Sequence, residues 1–451
     1  PRADRNYEDH TIPITYSIDE GPRVYVERIN VVGNTRTRDY VIRREFDLVE
    51  GDAFNRVLID RAERRLNNLG FFKSVRITTE PGSAPDKIVV NVMVEEQSTG
   101  ELSFGAGYST SDGVIGDITL TEKNFLGRGQ YVRAMVGGGE TRQEFELGFT
   151  EPYFLGRRIA AGFDFYAREL EETDYRQYDE STIGGGVRAG FPLTEETTLN
   201  LYYNIDSSDL WIPRKQRRRV SIALLEASGD TITSLVGYQF VYNTLDSLIE
   251  PRDGLYGYFE QEFAGLGGDS QFIRTKVHGR AYREILPDWG LVGMLKAEAG
   301  SIYGIGKDLI VPDQFFIGGE TIRGFETSGI GPRDRRTGDA LGGRLYIAGT
   351  AEVVFPLPYV PQELGFNGAL FTDAGTLWDV DPSIKRLTRR INGRVRTVDV
   401  VSNDAAIRWS AGFGLSWKSP FGPIRADLAW PIVAEKVDET QVFRISGGTR
   451  F

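Results

Sequence analysis

The chain has 451 residues, a net charge of -11 and no cysteine. Disulfides and thiolate metal sites are therefore excluded, and the acidic balance argues against a general nucleic-acid binder. Glycine supplies 53 residues, and tyrosine, phenylalanine and tryptophan supply 20, 26 and 6, a pairing that favours bent strands. No apolar run reaches the roughly 18 residues of a transmembrane helix, whereas a β-barrel needs only every second residue apolar.

In chain order, "PRADRNYEDH" has neither an apolar core nor a cleavage pattern, so no signal peptide is expected in it. Residues 22–96 then carry the mixed signals of a small α/β domain of about 75 residues. "RVYVERINVVG" alternates into a turn at Gly33-Asn34 and reads as a strand. "TRDYVIRREFD" reads as a helix with Thr35 or Thr37 as N-cap. A second helix is expected from about Phe54 to Leu69, with Leu58, Ala62, Leu66 and Leu69 on one face and Gly70 as its stop. Two further strands, "KSVRITTE" and "KIVVNVMVEE", complete a β-α-α-β-β order.

From residue 97 to 451 the helical period disappears, and sixteen alternating segments run from 101–110 to 441–451. Long connections are expected at 206–230 and 303–341, and a short turn, "LIEPRDG", on the opposite side. Near the end, Ile407, Trp409, Phe413 and Leu415 alternate with Arg408, Ser410, Gly412 and Gly414, and Ile424, Leu428 and Trp430 oppose Arg425 and Asp427. Alternation alone does not separate a membrane barrel from a pair of soluble β-sandwiches. Strand number does, because sixteen strands enclose a lumen too wide for side chains to fill. The apolar face should then turn to lipid and the charges inward, in a mainly β fold: a 16-stranded transmembrane antiparallel β-barrel behind a small α/β domain.

Catalytic patterns are absent: the two histidines, His10 and His278, are far apart in sequence, and no nucleophile elbow or phosphate loop occurs. Neither an enzyme nor a cofactor is expected. The one basic run, "RKQRRR" at 214–219, reads either as a solvated loop or as a face toward anionic lipid.

"RVYVERINVVGNTRTRDYVIRREFDLVEGDAFN" with "RLNNLGFF" resembles the last POTRA repeat of the BamA family of bacterial outer-membrane β-barrel assembly factors. "TGELSFGAGYST", "NFLGRGQ" and "TEPYFLGRR" resemble the opening barrel strands of that family, and "IRGF" at 322–325 its loop motif. The terminal Phe451 is typical of outer-membrane barrels. The resemblance implies a barrel in the outer membrane with its POTRA domain in the periplasm. It further implies unfolded outer-membrane proteins, Bam lipoproteins including BamD, periplasmic chaperones and outer-membrane lipid as partners. Five repeats are usual there and one is complete here, so residues 1–21, with "TIPITYSIDEGP" at 11–22, are expected to be the tail of a preceding repeat.

Two sites follow. Arg323, Gly324 and Phe325 lie in the glycine-rich segment "FFIGGETIRGFETSGIGPRD", and parity turns Glu352 and Asp373 inward. If loop 303–341 folds into the lumen, these carboxylates match the acidic partners of the family's loop arginine; without the resemblance, a solvated arginine is an equal reading. The second site is the junction of Ser103, Phe104 and Gly105 with Ser446, Gly447, Gly448 and Phe451. Two glycines in the closing strand weaken it and permit a seam that opens, although glycine pairs also simply suit barrel curvature. A secretion pore of the two-partner transporter type is the alternative function, sharing the barrel and the loop motif.

Overall fold

The computed structural model describes residues 2–3, 14–15, 23–173, 175–247, 250–391, 394–419 and 422–448. Nearly all of 1–21, with His10, lies outside them, as does Phe451. The chain divides into two units, residues 1–100 with 122–130, and residues 101–121 with 131–451.

In the first unit, Lys87–Glu96 is the central strand of three, parallel to Tyr25–Val32 and antiparallel to Phe72–Pro81. The helix Arg56–Asn68 begins at Asn55, whose side chain accepts from the Val57 amide at 2.9 Å. It ends at Gly70, whose φ of +68° suits a residue without Cβ. Ile59, Ala62 and Leu66 are buried on one face, against Val26, Ile29, Val90 and Val92 of the sheet and Ile42 of the short helix Asp39–Arg43.

That short helix corrects one expectation. Neither Thr35 nor Thr37 is its N-cap; Arg38 holds that position and gives no side-chain hydrogen bond. The approach is tied instead by Glu96, whose carboxylate accepts from the amides of Thr35, Arg36 and Thr37 at 3.0, 2.9 and 2.6 Å and from the Thr35 hydroxyl at 2.7 Å. Burial would raise the pKa of Glu96, but these hydrogen bonds outweigh it and hold the group at about 2.

In the second unit, sixteen antiparallel strands close in chain order, the last, Phe443–Gly448, pairing with the first, Gly100–Ser109. The wall is uneven. Thr197–Trp211, Gly229–Asn243, Gly254–Gly268 and Phe272–Leu286 have 15 residues each, whereas the first strand has 10 and the described last strand 6. Side chains follow the expected parity. Phe104, Ile118, Leu295, Trp409, Phe413 and Trp430 are exposed on the outside, while Glu352, Asp373, Arg408, Ser410, Asp427 and Arg444 are buried. No helix among the described residues is long and apolar enough to cross a membrane.

The connections at 212–228, 305–344 and 379–407 all leave the end of the barrel opposite the start of the first strand. The first of them is shorter than expected, because residues 206–211 continue a strand.

Candidate functional site

Loop 305–344 has little regular structure, yet it is anchored through its backbone and its apolar side chains. Gly324 and Phe325 form a two-residue strand facing Gln441 and Thr440, just before the last barrel strand. The Glu326 amide donates to the Glu439 carbonyl at 2.9 Å, and the Glu439 amide donates to the Gly329 carbonyl at 3.0 Å. Ile322 and Phe325 are fully buried in a cluster with Ile317, Ile330, Ala348 and Leu377. Gly324 has φ +91°, and a Cβ there would lie 3.2 Å from the Ser410 Cβ, so both backbone and space favour glycine.

Between those two apolar residues, Arg323 points the other way, into a set of charges on barrel strands. Its Nε and Nη2 donate to the two oxygens of Asp373 at 2.7 and 2.8 Å, a bidentate fork, and its own amide adds a 3.0 Å bond to Asp373 Oδ2. Its Nη1 donates to Glu352 at 2.7 Å. The guanidinium carbon sits 3.4 Å from the centre of the Phe371 ring, so the planar group is stacked as well as paired.

Two residues outside the expected set complete the network. Arg425 forks onto both Glu352 oxygens at 2.9 Å each and reaches Asp427 at 2.9 Å through Nε. Glu352 is thereby held by two arginines, and three carboxylates surround two guanidiniums. Arg425 and Asp427 showed inward parity in the sequence, but nothing in their spacing linked them to Arg323. Such pairing is needed: a buried charge left without its partner costs about 3–5 kcal/mol.

The first and last strands meet over a short ladder. Ser446 faces Ser109, Gly447 faces Tyr108 and Gly448 faces Gly107, and the Thr110 amide donates to the Ile445 carbonyl at 3.2 Å. The other edge of the last strand pairs from Phe443–Leu428 through Gly447–Ile424. Of the expected seam residues, Ser446, Gly447 and Gly448 therefore stand at the junction, and Phe451 is outside the described residues. Ser103, Phe104 and Gly105 lie on the first strand but face no described residue of the last one. The described register lies at the far end of the first strand, from Ser109 to Gly107.

A polar bridge also spans this junction. Arg444, on the last strand, donates to the Ser111 hydroxyl of the first hairpin turn at 3.1 Å and to the Thr327 hydroxyl of loop 305–344 at 3.2 Å. Ser111 and Thr327 are themselves 3.0 Å apart. Arg444 is buried. Nothing in the sequence pointed to this trio, whose members are separated by more than a hundred residues.

An alternating, outward-apolar sixteen-stranded ring with a charged lumen, preceded in the chain by a β-α-α-β-β unit, defines a POTRA-bearing outer-membrane barrel. The chain belongs to the Omp85 superfamily: the profile of the Omp85 superfamily domain matches residues 124–451, and the POTRA profile, described as a surface antigen variable number repeat, matches residues 24–97. It is similar to the outer membrane protein assembly factor BamA of Neorickettsia risticii, 31% identical over 96% of this chain and 56% of that protein. BamA of Nitratidesulfovibrio vulgaris is 30% identical over 96% of this chain and 52% of that one, so the chain spans about half the length of these relatives. Among solved structures, BamA from Haemophilus ducreyi lacking POTRA domains 1–3 superposes with a TM-score of 0.78 at 23% identity, covering 99% of this chain and 88% of that one. CdiB from Acinetobacter baumannii superposes less well, with a TM-score of 0.59 at 14% identity over 94% of this chain and 73% of that one. The protein is thus an outer-membrane protein whose POTRA domain, the first unit, is periplasmic.

Proposed function

We propose that the chain assembles β-barrel proteins in the bacterial outer membrane by opening the junction between its first and last strands. The observation that carries this reading is that the closing strand brings two glycines to the junction, Gly447 facing Tyr108 and Gly448 facing Gly107, where side chains that could hold the ladder are missing. Each facing pair lost exposes backbone donors and acceptors, and an unpaired edge is a template on which an incoming strand can add. The first strand, with 10 residues against 15 in the far wall, supports a second effect, thinning of the lipid beside the seam.

The Arg323 network supplies the rigid side of the device. It fastens loop 305–344 to the strands carrying Glu352, Asp373 and Asp427, while the backbone of the same loop holds residues 439–441. The last strand is therefore anchored at its start and weakly held along its free edge. In this reading the substrates are unfolded outer-membrane proteins delivered by periplasmic chaperones. The edge strand Phe72–Pro81 of the POTRA domain is a surface for strand addition, and Bam lipoproteins including BamD are the partners.

The test is insertion of a small unfolded barrel protein into liposomes with and without the reconstituted chain. Faster acquisition of heat-resistant, folded client in the presence of the chain supports assembly, and rates equal to those of empty liposomes contradict it.

A further inference from the structure

The basic run at 214–219 is half of a larger feature. Segments 212–228 and 379–407 together carry eleven lysines and arginines against five acidic residues, in a chain whose overall charge is -11. They are distant in sequence, yet one apolar cluster joins them: Ile212, Val220, Ile222 and Leu224 pack with Val380, Ile384 and Val398. The cations therefore cannot relieve their repulsion by moving the loops apart.

Their own carboxylates do little to neutralise them. Asp379 pairs with Arg344 at 2.6 Å, Asp381 caps the helix Pro382–Arg386, and Asp399 lies 3.4 Å from Arg335. Glu226 meets a cation of the two loops, Arg389 at 3.3 Å. Arg214, Lys215, Arg218, Lys385 and Arg386 are exposed and make no ion pair among the described residues. In the hairpin Thr388–Ile391 with Arg394–Thr397, Arg389 even faces Arg396 directly, a like-charge arrangement that destabilises a hairpin in isolation.

The height of this surface relative to the membrane can be read from the wall below it. Trp211 ends its strand and is half exposed, sharing the odd parity of the outward Leu201 and Ile205. An outward tryptophan at a strand end marks the boundary between hydrocarbon and headgroups. Arg214 and Lys215 follow three and four residues later, at the level where headgroup phosphates lie.

We propose that the two loops form one docking surface for phosphate-bearing lipid headgroups of the outer leaflet, holding the barrel by charge at the end opposite the start of its first strand. Guanidinium groups match phosphate oxygens in pairs, and a polybasic surface adds attraction per cation that salt screens within about a Debye length of 8 Å at physiological ionic strength. Lipid headgroups satisfy the observations better than a soluble anion, because the cations are spread over two exposed loops beside the membrane boundary rather than gathered into one cavity.

The experiment uses the full chain in uncharged maltoside micelles, titrated with a bisphosphorylated glycolipid and followed by native mass spectrometry. The wild type should retain the glycolipid. The variant R214Q/K215Q/R218Q/K385Q/R386Q should bind at least tenfold more weakly, with unchanged heat resistance of the barrel because every substituted side chain is exposed. The dephosphorylated glycolipid should bind the wild type no better than it binds the variant. Equal retention by wild type and variant, or equal retention of both glycolipids, overturns the proposal. Inorganic pyrophosphate serves as the soluble probe, and displacement of the glycolipid by equimolar pyrophosphate would assign the surface to a free anion instead. Should the quintuple variant misfold, the two half-variants, R214Q/K215Q/R218Q and K385Q/R386Q, each decide the matter by an intermediate loss or by none.

Discussion

Arg323 shows how one side chain fixes a loop of forty residues. Its fork onto Asp373, its bond to Glu352 and its stacking on Phe371 use the planar shape of the guanidinium as well as its charge. Arg323→Ala should therefore lower the temperature at which the barrel loses its compact form on denaturing gels, since it leaves the buried Asp373 without its cation, at a cost of about 3–5 kcal/mol, while Arg425 still holds Glu352. Arg323→Lys should rescue little of that loss, because an ammonium cannot fork or stack in the same way. A lysine variant with wild-type heat resistance would reduce the interaction to simple charge. Gly324→Ala should cost about 1–3 kcal/mol through its left-handed φ alone, checked in the same assay. Glu96 makes a separate prediction for the POTRA domain. Its folded pKa of about 2 lies below its unfolded value near 4.5, so its contribution is present above pH 4.5 and is lost as pH falls toward 2. The isolated first unit need not be made: Glu96→Gln in the full chain should flatten the acid dependence of amide-exchange protection at Thr35–Thr37. An unchanged acid profile would show that another group governs it.

At the scale of elements, the strands were legible and their register was not. Period-two alternation identifies a strand and its two faces, and the number of strands says which face is outward, so Trp409, Phe413 and Leu415 against Arg408 and Ser410 were assigned as the structure has them. Facing partners depend on hydrogen bonds between distant segments, and an even slip leaves parity unchanged. That is why the facing of Ser446 and Ser109 was not legible in the sequence. The same reason hid Arg425 and Asp427: parity turned them inward, but only the barrel's curvature brings Arg425 to Glu352 and Asp427 to within 3.8 Å of Arg323. Long-range polar bridges such as Arg444 with Ser111 and Thr327 leave no local trace at all. Arg444→Ala should loosen the seam without disturbing the Arg323 network. The expected signature is faster amide exchange in residues 107–109 and 446–448, with unchanged exchange at Glu352 and Asp373. Uniformly faster exchange through the barrel would make Arg444 a general support rather than a bridge across the seam.

Over the whole molecule, the POTRA domain was legible because its helices interrupt the strand period, and the barrel because no soluble packing could fill its lumen. In the proposed account, function rests on an asymmetry that no single segment displays: strands of 15 residues on one side, a junction closed by Gly447 and Gly448 on the other, and a loop whose backbone pairs with residues 439–441 before the last strand. The chain contains no cysteine, so the central claim can be tested by a single engineered disulfide. Ser109 and Ser446 face each other across the seam, at the Cα spacing of about 4.5–5.5 Å usual for facing antiparallel residues and within the span a disulfide bridges. The decisive measurement is the rate at which S109C/S446C, reconstituted in liposomes, inserts an unfolded barrel protein when oxidised and again after reduction. Opening of the seam predicts a rate near that of empty liposomes in the oxidised state and recovery on reduction. An oxidised barrel that inserts its client at the reduced rate would contradict the account and move catalysis to the distorted membrane or the POTRA domain.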